Sequence, residues 1–137
     1  MTDGVRSAHP DALPNYSNAK IPADKLVKYA LDPTHVPSDP SRSRGRDKAR
    51  VFKSVLGFDQ SNWELLMESI KAELPYHEAE FKEEDEHGKR YAVILPVTGP
   101  TGVTADVLTG WIIYPGSDHP RLTTARVLTK GGDYVGD

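Results

Sequence analysis

Apolar side chains recur along the first half of the chain at the three-to-four-residue spacing of helices, and along the second half at the two-residue spacing of strands. Helices therefore come first and a sheet follows. Leu26, Tyr29 and Ala30 share one face of a helix expected from Ile21, where Pro22 fits a first turn that has no amide bond to lose, and Pro33 stops it. A second helix over roughly 46–56 sets Ala49, Phe52, Val55 and Leu56 on one side; Gly57 suits a left-handed stop, with Phe58 folding back onto the last turn. Ser61 and Glu64 have the spacing of a capping box, and the helix they open carries Trp63, Met67, Ile70 and Leu74 as far as Pro75.

Beyond Pro75 the period becomes two. His77, Ala79 and Phe81 alternate with Glu78, Glu80 and Lys82, which predicts a half-exposed strand leading to an acidic hairpin loop over 83–88. The return strand, 90–97, is apolar at nearly every position and reads as a central strand covered on both faces, with Pro96 marking its end or an edge. Val103, Ala105, Val107, Thr109, Trp111 and Ile113 line one face of a third strand in which Gly110 marks a bulge or bend, and 122–128 forms a fourth. The expected fold is α+β, with N-terminal helices packed on a four-stranded antiparallel meander. Residues 1–20 and 131–137, poor in large apolar side chains, read as a flexible lead-in and a tail around one domain at 21–130, and the proline-rich stretch 32–44 reads as an irregular loop.

A length of 137 residues, 27% of them charged, supports one core and not two. The absence of cysteine removes disulfides, thiolate zinc sites, iron–sulfur clusters and thiol nucleophiles. The longest apolar stretches fall short of the ~20 residues of a membrane span, and the polar N-terminus lacks the apolar core of a signal peptide. The expectation is a soluble domain. No phosphate-loop, dinucleotide-binding, zinc-protease or nucleophile-elbow motif is present, and nothing in the chain calls for a metal or cofactor.

Net charge is −3, but its distribution is uneven. Arg42, Arg44, Arg46, Lys48, Arg50 and Lys53 stand against the single acid Asp47, a basic loop entering a helix that suits phosphate groups such as those of RNA. A solvated loop and helix face would have the same composition. Thr109 and Trp111 share strand parity, and the following turn leads to His119, Arg121, Thr123 and Thr124 on the pairing strand, where guanidinium, imidazole and hydroxyl groups could orient a ribose and stabilise a phosphoryl transition state. Strand propensity also explains Thr123 and Thr124, and core packing explains Trp111. His77 and His119 lie nearest to rigid elements and are the acid–base candidates; His9, His35 and His87 fall in expected loops. The acidic run 83–86 suits a metal or a basic partner, or simply solvent.

The run Leu13-Pro14-Asn15-Tyr16-Ser17-Asn18-Ala19, then Ile21-Pro22, Lys25-Leu26, Tyr29-Ala30-Leu31, Lys48-Ala49-Arg50-Val51-Phe52 and Leu56-Gly57, resembles a small domain found at the C-termini of bacterial polymorphic toxins and in phage-associated proteins. Thr109-Gly110-Trp111-Ile112-Ile113, Gly116-Ser117-Asp118 and Pro120-Arg121-Leu122-Thr123-Thr124 extend the resemblance over 13–128. The order of helices and four strands is similar to that of barnase, EndoU and RelE-like ribonucleases. The resemblance implies a toxin domain acting in the bacterial cytoplasm, delivered at the end of a larger secreted or phage protein, with a cognate immunity protein or antitoxin. A metal-independent ribonuclease that uses 2′-hydroxyl transphosphorylation would fit it. Arg121 would then stabilise the transition-state anion, Thr123 would orient substrate, and His77 or His119 would be the acid or base. Lys48, Arg50 and Arg46 would hold phosphate, with Thr109 and Trp111 beside the substrate. The alternatives are a non-catalytic module binding RNA or an acidic protein, and a toxin with another target.

Overall fold

The computed structural model describes residues 7–33 and 44–128, with the backbone alone for 44–47. Residues 1–6, the tail 131–137 and most of the expected loop, 34–43 with His35 and Arg42, lie outside the described residues.

Helices precede strands, as the change of period predicts. Leu26 and Ala30 are buried on the short segment Lys25–Ala30, whose turns are wide: the amide of Leu31 donates to the carbonyl of Leu26, five residues back, at 2.8 Å. Helix α1 (Arg44–Val51) runs on into a second wide-turned segment, Phe52–Leu56, which buries Phe52 and Leu56. Gly57, at φ 87°, ends it by donating to the carbonyls of both Phe52 and Lys53. The amide of Phe58 reaches back to the same Phe52 carbonyl, so this ring enters the core on the last turn.

Helix α2 (Trp63–Glu73) follows a 3-10 turn, Gln60–Asn62. The capping box sits two residues earlier than the Ser61–Glu64 spacing suggests. The extended Asp59 accepts from the Ser61 amide, and the Asn62 side chain accepts from the Asp59 amide, because the 3-10 turn moves the first free amides forward. These bonds hold the Asp59 carboxyl below its usual range, the Ser61 hydroxyl and amide contributing most.

Strands β1 (Ala79–Asp85), β2 (Gly88–Thr98), β3 (Thr104–Ile113) and β4 (Arg121–Val127) form an antiparallel meander in the order β1-β2-β3-β4. Val93, Leu95, Val97, Val107, Trp111 and Leu122 turn toward Leu26, Phe52, Leu56, Leu66, Ile70 and Leu74, so the core lies between the helices and one sheet face. The other face is not covered by a described helix. Ile94 is 48% exposed, which corrects the expectation of a strand buried on both sides: the helices occupy one face only. Pro96 lies inside β2, beyond Val93 where pairing with β1 stops, on a stretch with a strand neighbour on one side. Of the acidic residues expected in the hairpin loop, Glu83, Glu84 and Asp85 extend β1 instead and Glu86 stays in the turn, and Arg90 holds Glu83 and Asp85 at 3.7 and 3.5 Å across the pair.

Residues 7–20 differ most from expectation. Rather than trailing as a flexible lead-in, they bury Leu13 and Ala19 and bond the sheet side of the domain: His9 to the Pro75 carbonyl, and Ala79 to that of Asp11. Backbone hydrogen bonds of this kind carry no compositional signature.

Thr109 is the buried polar residue of the sheet. Its hydroxyl donates to the Val93 carbonyl at 2.7 Å and accepts from the Trp111 indole at 2.8 Å. Thr109→Val would strand that indole N–H in the core, and we expect a loss of about 1–3 kcal/mol in chemical denaturation. An unchanged midpoint would show that the pair contributes nothing to stability.

Candidate functional site: a basic flank along strand β4

The turn between β3 and β4 is held from outside. Asn15, in a left-handed conformation at φ 56°, donates its side-chain amide to the Asp118 carbonyl. Two residues past that turn, the Lys20 amide donates to the Pro120 carbonyl and the Leu122 amide donates to the Lys20 carbonyl, both at 2.9 Å, making a parallel bridge between Lys20 and Arg121. The N-terminal segment thereby lies along the outer flank of β4 and encloses a cleft of about 690 Å³ whose polar lining includes Asn18, Lys20, Lys71, Asp118, His119 and Arg121.

Among the described residues, three cations face this cleft against one carboxylate. Lys20, Lys71 and Arg121 make no side-chain ion pair among the described residues, and the Asp118 carboxylate contacts His119 rather than any of them. His119 Nδ1 lies 3.2 Å from Asp118 Oδ1 and 3.3 Å from Ser117 Oγ, which leaves Nε2 as the nitrogen without a partner among the described residues. An imidazole held at Nδ1 beside a guanidinium and two ammonium groups can exchange a proton with a bound anion that those cations hold.

A second basic group lies farther along the same strand. Lys48 reaches from α1 to β4, where Nζ donates to Thr124 Oγ1 at 3.0 Å. Burial pushes the Lys48 ammonium below its ordinary value, and the neighbouring charges of Arg126 and Lys25 lower it further. Lys25 itself lies 5.1 Å from the centre of the Tyr29 ring. Between the two groups, β4 carries a bulge: Gly110 pairs with Thr124 and Trp111 with Leu122, so Thr123 is the extra residue. Gly110 leaves room for it, since a Cβ there would lie 2.9 Å from Thr124 Cγ2 and 3.0 Å from Thr123 Oγ1.

Other candidates are not brought together. His77 Nε2 pairs with Glu73 Oε1 at 2.8 Å at the end of α2 and does not line the cleft. Arg50, two residues from Lys48 on α1, lines a separate hollow with Lys53 and Asp59. Arg46 falls in α1 by its backbone alone. Thr109 and Trp111 are, respectively, 0% and 1% exposed and bonded to each other, so the core packing weighed for Trp111 in the sequence accounts for it and for Thr109 as well, and they offer no surface to a ligand. Among the described residues, no three His, Asp or Glu side chains are disposed to hold a metal ion, and no helix is long and apolar enough to cross a membrane.

The residues from just before buried Leu13 to just past β4 match one family throughout, over 12–129. The chain belongs to the family described as Domain of unknown function (DUF6883). No curated protein and no solved structure matches it. The matched stretch of this DUF6883 domain takes in Lys20, Lys71 and Arg121 together. Lys20 and Lys71 escape sequence reading because one lies in an apparent lead-in and the other on the polar face of a helix; only the fold sets them beside Arg121.

Lys48 supplies a test of the second basic group. Its depressed ammonium means that folding favours the neutral amine, so the charged form costs stability below the folded value and the cost fades as pH rises toward the ordinary 10.5. Lys48→Met is expected to raise the melting temperature at neutral pH, with a gain that shrinks as pH approaches that value. A gain independent of pH would mean that the charge is not the cause.

Proposed function

We propose that this domain binds RNA along the β4 flank and cleaves it by metal-independent transphosphorylation in the cleft. The observation that carries the reading is that Arg121 and His119 share one cleft with Lys20 and Lys71, all three cations free of ion pairs among the described residues. In this mechanism Lys20 and Lys71 hold the phosphate, His119 Nε2 takes the proton of the 2′-hydroxyl, and the freed 2′-oxygen attacks phosphorus. Arg121 binds the non-bridging oxygens as negative charge gathers on them. The 5′-oxygen leaves with a proton from solvent, giving a 2′,3′-cyclic phosphate and a 5′-hydroxyl end. Thr123, on the bulge next to this cleft, offers a hydroxyl with no partner among the described residues for orienting the chain of the substrate.

The wider setting we propose is a toxin domain acting in the bacterial cytoplasm, neutralised by an immunity protein that covers the basic flank. The resemblance of 13–128 to C-terminal domains of polymorphic toxins supports this setting. A second reading, a non-catalytic RNA-binding module, draws on the Lys25, Lys48 and Arg126 group, which gathers positive charge with no histidine or carboxylate bonded to it among the described residues.

Purified protein incubated with total RNA in EDTA is expected to yield discrete fragments ending in cyclic phosphate. His119→Ala should slow cleavage by about 10²–10⁴-fold, with the melting temperature retained, and Arg121→Ala should do the same through loss of anion stabilisation. RNA that stays intact with folded wild-type protein contradicts catalysis, and RNA retained on the protein without turnover selects the binding module.

A further inference from the structure

Lys48 is a half-buried cation whose hydrogen-bond partner among the described residues is a hydroxyl, not a carboxylate. Lys25 and Arg126 lie near enough for their charges to oppose its own, and no ion pair relieves any of the three among the described residues. Such a group is under electrostatic strain until an anion arrives. Its position fixes what kind of anion. Arg121 and Arg126 begin and nearly end the same extended strand, roughly 15 Å apart at the rise of a β-strand, with Lys48 between them at Thr124, roughly 10 Å from Arg121. A single phosphate held at Arg121 would not reach Arg126, so a ligand that meets both carries more than one.

We infer that Lys25, Lys48 and Arg126 form a second phosphate subsite, so that the ligand of the β4 flank is a single-stranded polynucleotide whose backbone follows the strand from the cleft to Lys48. The inference rests on the reading of the cleft as a nucleic-acid site and deepens it. Tyr29 separates this ligand from an acidic peptide: its ring is 45% exposed and stands beside Lys25, an aromatic face at the basic group on which a base can stack. Thr124 fixes the Lys48 ammonium at the strand, and the Thr123 bulge lies on the path between the two subsites.

The test uses the full chain and deoxyoligonucleotides, which lack the attacking 2′-hydroxyl and so report binding alone. Labelled strands of two and roughly eight nucleotides are titrated across a range of salt. Wild-type protein should bind the longer strand more tightly. Lys48→Gln and, at an exposed position, Arg126→Gln should each weaken the longer strand and lower the slope of log affinity against log salt by about 0.7, with the dinucleotide unaffected. Arg121→Gln should weaken both lengths, and Thr124→Val, which keeps every charge, should preserve the slope. Equal loss on both lengths, or an unchanged slope in both Lys48 and Arg126 variants, overturns the subsite while leaving the cleft intact. Tighter binding of polyglutamate than of the longer strand overturns the polynucleotide. Failure of both lengths to bind wild-type protein overturns the subsite and the cleft reading together. Length-dependent, Lys48-dependent binding without RNA cleavage upholds the subsite and removes only the catalytic step.

Discussion

Two backbone hydrogen bonds between Lys20 and the entry to β4 determine the character of this molecule's surface. They close the first part of a strand edge that would otherwise present free amides and carbonyls to any passing chain. They also set one lysine beside Arg121, with α2 contributing Lys71 from behind. The cleft is therefore a product of chain path: the N-terminal segment is pinned to the β3–β4 turn at Asn15 and to the start of β4 at Lys20.

The two polar arrangements on the sheet behave in opposite ways. Thr109 and Trp111 satisfy each other and the Val93 carbonyl inside the core, a closed network that adds stability and asks for no partner. Along β4 the cations have no ion pair among the described residues, and Lys48 is held partly out of water at a cost to the folded state. Residues that lower stability without supporting the fold are the ones expected at sites that bind something. The opposite edge of the sheet shows the contrast, since Arg90 is matched there by Glu83 and Asp85 and Lys82 by Glu80.

The fold was largely readable because its signals are local. The change of period after Pro75, the left-handed stop at Gly57 and the bulge expected at Gly110 each depend on a few neighbouring residues, and each recurs in the structure. The open face of β2 was hidden because Ala92, Ile94 and Pro96 have the same composition whether or not a helix covers them. The packing of 7–20 was hidden because its main contacts are backbone bonds. For the site, Arg121 and His119 could be picked out from a turn feeding a strand, whereas Lys20 and Lys71 share no local pattern with them. Lys48 and Arg50 looked equivalent in a basic run, yet two residues on a helix point to different sides, and one reaches β4 while the other does not.

The central claim is that the β4 flank, from Lys20 and Arg121 to Lys48 and Arg126, is where this domain meets its ligand. Amide and side-chain NMR shifts followed during titration with a single-stranded deoxyoligonucleotide test it most directly. The account predicts perturbations that trace Lys20, Lys71, His119 and Arg121 and continue through Thr124 to Lys48 and Arg126, with β1 unchanged. Shifts concentrated on β1 and β2, or none along β4, would contradict it.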